Sequence, residues 1–383
     1  MRDGHDVIVV GLGGMGSAAA YHLAERGRRV LGLERFTSGH AHGSSHGRSR
    51  IIRQAYFEDP AYVPLLMRAY ELWPRLEHDA GVSLLKITGG LMLGEATSVV
   101  VAGSIRSARE HGIPHEVLDA EAIRRRFPAF RPTPETIALW EHGAGVLRPE
   151  GAVRAHLDRA ARLGADLHFE EPITGWEATP GGRVRVRTQR AAYDAERLVL
   201  APGAWAPSIL EELGLPLVIE RQVQFWFDPL GGITPFLPAH FPIFIWQLVD
   251  HATVYGFPAL DGPEGGVKAA FHHSGQLTTA ETLDREVQPE EVAVLRSVLS
   301  ERIPALAGVC RDTAVCMYTN TPDEHFVIAV HPQYPQVAIA AGFSGHGFKF
   351  ACIVGEILAD LATDGTTGHP ITLFSPERFK PRS

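Results

Sequence analysis

Apolar and polar positions in the first forty residues come in blocks that predict strand, helix, strand. Asp6 to Val10 is a short apolar run of the kind that a strand buried on both faces shows. After a glycine-rich turn, Ala18, Ala19, Ala20, Leu23 and Ala24 predict a helix whose small residues let it lie close to a sheet. A second apolar run, Val30 to Leu33, predicts the next strand and ends at Glu34. Further along, IIR (residues 51–53) reads as a short strand, which would set Arg50 and Arg53 on opposite faces. GGVKAAFHH reads as a strand in which Lys268 and His272 share a face. AVCM reads as a core strand, and FKFACIVGEILADLA as an apolar helix behind three glycines, Gly342, Gly345 and Gly347.

Gly11, Gly13 and Gly16 stand in the spacing G-x-G-x-x-G between the first strand and the helix. Gly11 permits the tight turn, Gly13 lets amides approach a pyrophosphate, and Gly16 allows close helix–strand contact. The helix N-terminus then faces the phosphates with unpaired amides and a positive dipole end. Glu34, 18 residues beyond Gly16, is placed to accept hydrogen bonds from ribose hydroxyls. Strand, glycines, helix, strand and acid in this order predict a bound dinucleotide. The motif alone does not separate NAD from FAD. Beyond Arg35 the chain enters FTSGHAHGSSHGRSRIIRQAY, a loop of glycine, serine, histidine and cations rather than further strand–helix units, and this favours FAD held in extended form.

The totals narrow the alternatives. A length of 383 residues implies two domains or one large composite unit. A net charge of −8 gives no electrostatic footprint for nucleic acid. No apolar run approaches the roughly 18 residues of a membrane span. Three unevenly spaced cysteines, Cys310, Cys316 and Cys352, form no disulfide framework, and MRDGHD leads straight into a strand, so a cytoplasmic location is expected. His40, His42 and His46 match no standard zinc spacing and lack nearby carboxylates, so no metal is expected. His46, Arg50 and Arg53 can instead serve a flavin ring and an anionic substrate; a solvated loop is the plainer alternative. Cys316 on its residues alone is equally a small buried core residue. Only four lysines occur, Lys86, Lys268, Lys349 and Lys380, so a lysine within an apolar strand stands out.

GSSHGRSRIIRQAY, YVPLLMRAYELW, YGFP with a following Lys and His, AVCMYTNTPDEHF and AGFSGHGFKF together resemble the monomeric sarcosine oxidase and N-methyltryptophan oxidase family of flavoproteins. The likeness runs from Asp6 to about Phe374, and is only general between residues 85 and 240. It implies an α/β fold with an α+β second domain. A Rossmann-like FAD-binding domain would be assembled from residues 1–85, 146–220 and 320–383, and a mixed-sheet substrate domain from 86–145 and 221–319. The implied activity is FAD-dependent oxidation of sarcosine or related N-methyl and secondary amino acids, with oxygen reduced to hydrogen peroxide by a monomer.

The family joins FAD through the 8α-methyl group to a cysteine in this same context, which is Cys316 here. The resemblance implies cofactor contacts from Gly11, Gly13, Gly14, Met15, Gly16, Glu34, Arg35, Ser44, His46, Arg50, Cys316, Gly345, His346, Gly347, Phe348 and Lys349. Arg53 and Lys349 would hold the substrate carboxylate, the first as a fork and the second as a point charge. Lys268 would stabilise the superoxide formed as oxygen takes its first electron. His272 and Tyr255 would stand beside the substrate, and with Lys268, Arg50 and His46 they make up the implied catalytic set. No dedicated base is named. Trp246 stands where the family carries a smaller Met, which would reshape the substrate pocket toward other N-methyl amino acids or cyclic imino acids such as proline or pipecolate. Trp205 in LVLAPGAW reads as packing. The rivals are an FAD dehydrogenase serving another acceptor, an NAD-dependent reductase and a non-catalytic flavin-binding protein.

Overall fold

A computed structural model describes residues 4–273 and 275–380. Two large sheets dominate it. The first has eight strands, ordered Ile173–Thr179, Arg183–Thr188, Ala192–Leu200, His5–Val10, Val30–Leu33 and Asp166–His168, with Val337–Ala341 also paired to Ala192–Leu200 and Val327–Val330 at its outer side. His5–Val10 is parallel to both of its neighbours. Its four C-terminal residues are buried, as the apolar run requires.

Helix Gly14–Glu25 leaves the end of that central strand and lies against helices Pro149–Arg162 and Ala351–Asp364. Its small residues are used where it meets the last of these: a Cβ on Gly355 would come 2.5 Å from the Ala18 carbonyl carbon and 2.8 Å from the Ala19 nitrogen. The apolar stretch FKFACIVGEILADLA forms a 3₁₀ turn, Phe348–Phe350, before the α-helix Ala351–Asp364.

The second sheet has nine strands and is mixed. Its order is Leu277–Thr278, Val218–Asp228, Val267–His272, Thr253–Gly256, Ile243–Gln247, Gly90–Gly94, Ile137–Glu141 and His115–Leu118, with Val309–Asn320 lying along Val218–Asp228. Ile243–Gln247 and Gly90–Gly94 are parallel, whereas the rest pair antiparallel. One face carries an aromatic core that includes Phe130, Phe241, Phe244 and Trp246. The other face turns toward the first sheet and carries Cys316, Tyr318, Lys268, His272 and Tyr255. A third, small sheet pairs Arg50–Ile52 and Leu85–Ile87 with Gly145–Leu147.

Among the described residues no helix is long and apolar enough to cross a membrane. Gly355→Ala is expected to destabilise the protein by about 1–3 kcal/mol, because the added methyl meets backbone rather than a movable side chain. Thermal unfolding of the holoprotein measures this, and an unchanged Tm would show that the two helices can part without cost.

Candidate active site

The larger of two adjoining cavities, about 280 Å³, opens at the C-terminal ends of the parallel strands and is lined by Gly11, Gly13, Gly14, Met15, Glu34, Arg35, Ser44, Arg50, Gly345, Gly347 and Phe348, among others. Gly11 has φ of +83°, and a Cβ there would approach the Ala201 carbonyl oxygen at 2.5 Å. Gly16 does not line the cavity; a Cβ on it would fall on the Gly11 carbonyl, so this glycine lets the helix meet the strand. The helix begins at Gly13 without a side-chain cap and with no acid in its first turn, which leaves its dipole end to an anion. The Gly14 amide donates to Ser45 Oγ at 3.0 Å.

Glu34 closes the far wall of this cradle. Its Oε2 accepts from the Leu12 amide at 2.8 Å and its Oε1 from the Phe36 amide at 3.1 Å, which fixes the carboxylate and leaves lone pairs over. The Arg35 guanidinium lies 5.3 Å from the Trp205 ring. Trp205 also lines the cavity, and its indole Nε1 is buried with no hydrogen-bond partner among the described residues. His40 and His42 gather around Phe36 at ring distances of 4.8 and 4.5 Å. His46 lies apart from them, beside Arg50. Among the described residues no group of three or more His, Cys, Asp or Glu is placed to hold a metal ion. The glycine cradle, the open helix end and the carboxylate fit an extended dinucleotide.

At the opposite end of the cavity the cationic loop folds around Cys316. Arg50 donates to the carbonyls of Ser49 and Ser44, each at 2.8 Å, and its Nη2 stands 3.9 Å from Cys316 Sγ. Ser44 Oγ donates to the Met317 carbonyl at 2.7 Å, tying the loop to the strand that carries Cys316. His46 is held neutral, its pKa lowered to about 4 by burial and by Arg50, and its Nε2 is buried without a partner. His46 itself lines neither of the two cavities.

The smaller cavity, about 70 Å³, adjoins the larger through Arg50, Tyr318, Gly345 and Phe348, which line both. Arg53, Glu58, Gln224, Ile245, Tyr255, Phe257, His272, His346 and Lys349 complete much of its wall. Arg53 is buried and forms a bidentate pair with Glu58 at 2.8 and 2.7 Å, with Nη1 on the Ala55 carbonyl at 3.1 Å. Lys349 Nζ donates to the His346 carbonyl at 2.6 Å, and its pKa falls to about 7 because burial and the Arg53 charge oppose a second cation. His346 bridges Tyr56 OH at 2.5 Å and the Glu324 carbonyl at 2.9 Å, and burial keeps it neutral. His272 Nδ1 lies 3.2 Å from Tyr318 OH. Burial also raises the Tyr255 hydroxyl above its ordinary value.

Lys268 lines neither cavity. It is 2% exposed, packs over Trp226 and Phe257, and donates to the carbonyls of Gly47 at 2.7 Å and Ser49 at 3.2 Å. Burial pushes its pKa far down. The loop that it supports is held from the other side by Glu150 Oε1, which accepts from the amides of Gly47 and Arg48 at 2.7 and 3.0 Å.

Two expectations are corrected. Trp246 does not reach the pocket. Strand Ile243–Gln247 puts Ile245 on the cavity face and sends Trp246 into the aromatic core, because side chains alternate along a strand. Arg50 and Arg53 do not face opposite ways: the strand ends at Ile52, the chain turns, and both arginines line the smaller cavity, though with different partners. Glu58, Gln224 and Tyr318 were not singled out from sequence. Tyr318 carried a usable signal, since it lies two residues from Cys316 on one strand and so shares its face. Glu58 and Gln224 carried none, because only the tertiary fold brings them to the pocket.

Comparison with known proteins agrees with this geometry. Residues 6–361 match the family model described as FAD dependent oxidoreductase. The chain is 56% identical over 380 residues to "Monomeric sarcosine oxidase" of Streptomyces avermitilis, covering 99% of each chain. It is 35% identical over 378 residues to "N-methyl-L-tryptophan oxidase" of Yersinia pestis, covering 98% of this chain and 100% of that one. Among solved structures, L-proline dehydrogenase from P. horikoshii superposes with a TM-score of 0.84 at 26% identity, covering 99% of this chain and 98% of the other. FAD is the cofactor that this family uses, and a small molecule is its substrate. The chain belongs to the monomeric sarcosine oxidase and N-methyltryptophan oxidase family of FAD-dependent oxidoreductases.

Proposed function

We propose that the protein oxidises sarcosine or a related N-methyl amino acid with FAD as cofactor and oxygen as acceptor, acting as a monomer in the cytoplasm. The observation that carries this reading is one buried pocket, continuous with the dinucleotide cleft, in which Arg53 and Lys349 lie across from Tyr255 and His272. The eight-stranded sheet, built from residues within 1–85, 146–220 and 320–383, would carry the cofactor, and the nine-stranded sheet would cover it as the substrate domain. FAD, when bound, takes the two electrons of the C–H bond next to the amine and passes them to oxygen.

The chain's own residues bind and orient. Arg53 offers its guanidinium to the substrate carboxylate and exchanges part of its Glu58 pairing for it. Lys349 adds a point charge beside it. Ile245, Tyr255, Phe257 and Phe348 exclude water, and the small volume favours a compact N-substituent. The amine is bound in its neutral form, and the imidazole of His272 and the hydroxyls of Tyr255 and Tyr318 order the pocket around it. Lys268, buried behind the cavities on the carbonyls of Gly47 and Ser49, is the residue assigned to stabilise oxygen as it gains electrons. Cys316 would hold the flavin covalently through its 8α carbon, and Ser44, Arg50 and the glycine cradle would position it. Arg50 Nη2 stands 3.9 Å from the Cys316 sulfur.

Intact mass of the acid-denatured holoprotein is expected to exceed that of the chain by one FAD, mapped to Cys316, and to return to the bare chain in Cys316→Ala. A peroxide-coupled assay with N-methyl and cyclic amino acids is expected to show turnover with sarcosine or a close relative. A yellow protein that reduces a dye but makes no peroxide would overturn the oxidase reading.

Carboxylate binding is expected to depend on pH through Lys349. With its pKa near 7 in the open pocket, the amine is charged below pH 7 and attracts an anion. Above pH 7 binding must recruit a proton, so the Kd for acetate should rise by about tenfold per pH unit. Arg53 stays charged throughout. Titrations followed by flavin absorbance check this, and Lys349→Met should flatten the dependence; an unchanged slope in that variant would assign the effect elsewhere.

A further inference from the structure

Behind the substrate pocket lies a second layer of polar side chains that neither substrate binding nor cofactor attachment uses. Glu220, 6% exposed, accepts four hydrogen bonds: from the Gly275 amide at 2.9 Å and Gln222 Nε2 at 2.7 Å on Oε1, and from Asn320 Nδ2 at 2.6 Å and His273 Nδ1 at 3.1 Å on Oε2. That fills the acceptor capacity of a carboxylate. His273 has a left-handed backbone, with φ of +56°, a region that His shares with Asn and Asp among the non-glycine residues. Its Nε2 is buried and has no hydrogen-bond partner among the described residues, while its Nδ1 is held by Glu220. The His273 ring packs against His272, with centroids 4.1 Å apart, and against Tyr318 at 5.3 Å. His272 in turn reaches Tyr318 OH and lines the pocket.

We infer that Glu220 and His273 are positioning residues that clamp the His272 ring against Tyr318 at the wall of the substrate pocket. The inference rests on the reading of the smaller cavity as the substrate pocket. Two contributions make the clamp. The first is positional: one carboxylate binds both the His273 ring and the Gly275 amide. The second is charge. A buried carboxylate with four donors stays ionised and needs a counter-cation, and His273 supplies it: despite burial, its pKa is raised by Glu220, with Glu324 and Glu58 adding to the effect. A charged His273 beside His272 keeps the latter neutral, as do burial and the nearby His346 and Lys349, against the opposing pull of Glu58. Tyr318 and Tyr255 complete the surroundings of His272, and both hydroxyls stay protonated. His272 is thereby fixed in orientation and in charge, so that no added cation competes for the substrate carboxylate that Arg53 and Lys349 are set to bind.

The test uses holoprotein labelled with carbon-13 at the histidine Cε1 positions. The two resonances are assigned by their loss in His272→Asn and His273→Asn. His273 is expected to titrate above the ordinary histidine value and to fall in Glu220→Gln, with partial recovery in Glu220→Asp, while His272 titrates below that value. Asn tolerates the left-handed backbone, so His273→Asn keeps the turn, the flavin content and the Tm. It is expected to lower kcat/KM about tenfold, which corresponds to about 1.4 kcal/mol of transition-state stabilisation. If Glu220→Gln does not fold, His273→Asn alone decides the matter. A wild-type His273 that titrates at or below pH 6.5, or variants that retain full kcat/KM, overturns the inference. The titrations need no substrate, so a failure of the sarcosine reading, seen as no peroxide from any secondary amino acid, is distinguishable from a failure of the clamp.

Discussion

Positive charge held out of water is the constraint on which this site depends. Arg50, Arg53 and Lys349 line one cleft and Lys268 is buried behind its loop, and moving each cation from water into a protein costs several kcal/mol unless it is compensated. The compensation comes chiefly from backbone carbonyls. Arg50 uses those of Ser44 and Ser49, Lys268 those of Gly47 and Ser49, Lys349 that of His346, and Arg53 that of Ala55. The carboxylates largely serve the complementary purpose. Glu150 binds the amides of Gly47 and Arg48, and Glu141 those of Gln54 and Ala55. Acids thus hold the loop, and the loop holds the cations. Of the four cations only Arg53 has a carboxylate on its guanidinium in this network, through Glu58. The result is a surplus of positive potential that an anionic substrate and a reduced cofactor can use.

The loop can be this demanding because the two sheets present it with rigid walls. Val309–Asn320 pairs with Val218–Asp228 along nearly its whole length, so Cys316 lies opposite Gln222 and Tyr318 opposite Glu220. Alternation along these strands places Cys316, Tyr318, Gln222 and Gln224 toward the loop. Gly47, with φ of +99°, lets the chain pass beside Gln224, and Gly345, with φ of +76°, passes over the Tyr318 ring. A side chain at either glycine would push the cationic loop or the flavin-side turn away from the sheet.

Sequence reading recovered what is local and missed what depends on register. The nucleotide cradle was legible because its chemistry lies within about thirty consecutive residues: a buried strand, three glycines at fixed spacing, a small-residue helix and an acid at the end of the next strand. Arg53, Lys349, His272 and Tyr255 came from resemblance to a family, and the pocket does bring those four together. Trp246 failed on parity, since a one-residue difference in phase moves a side chain to the other face of a sheet. The expectation that Arg50 and Arg53 face opposite ways failed because a three-residue strand gives no internal sign of where it ends. Glu58, Gln224 and Glu220 were invisible: each is an ordinary polar residue until sheet pairing brings it beside a histidine or an arginine more than local distance away in the chain or across a turn.

The two cavities have a shared wall, and this ties cofactor to substrate more closely than proximity alone. Arg50, Tyr318, Gly345 and Phe348 line both spaces. Tyr318 carries the His272 contact on one side and stands on the strand of Cys316 on the other. Arg50 touches the thiol and also contributes its charge to the pocket that holds Lys349, where it helps to depress the lysine pKa. Any anion that enters either space therefore relieves like-charge repulsion felt in the other. Binding of a negatively charged group in the cleft favours the protonated Lys349, and the protonated lysine favours the substrate carboxylate. The coupling needs no moving element. It follows from placing the cations of two sites around a common wall in a medium that screens them poorly.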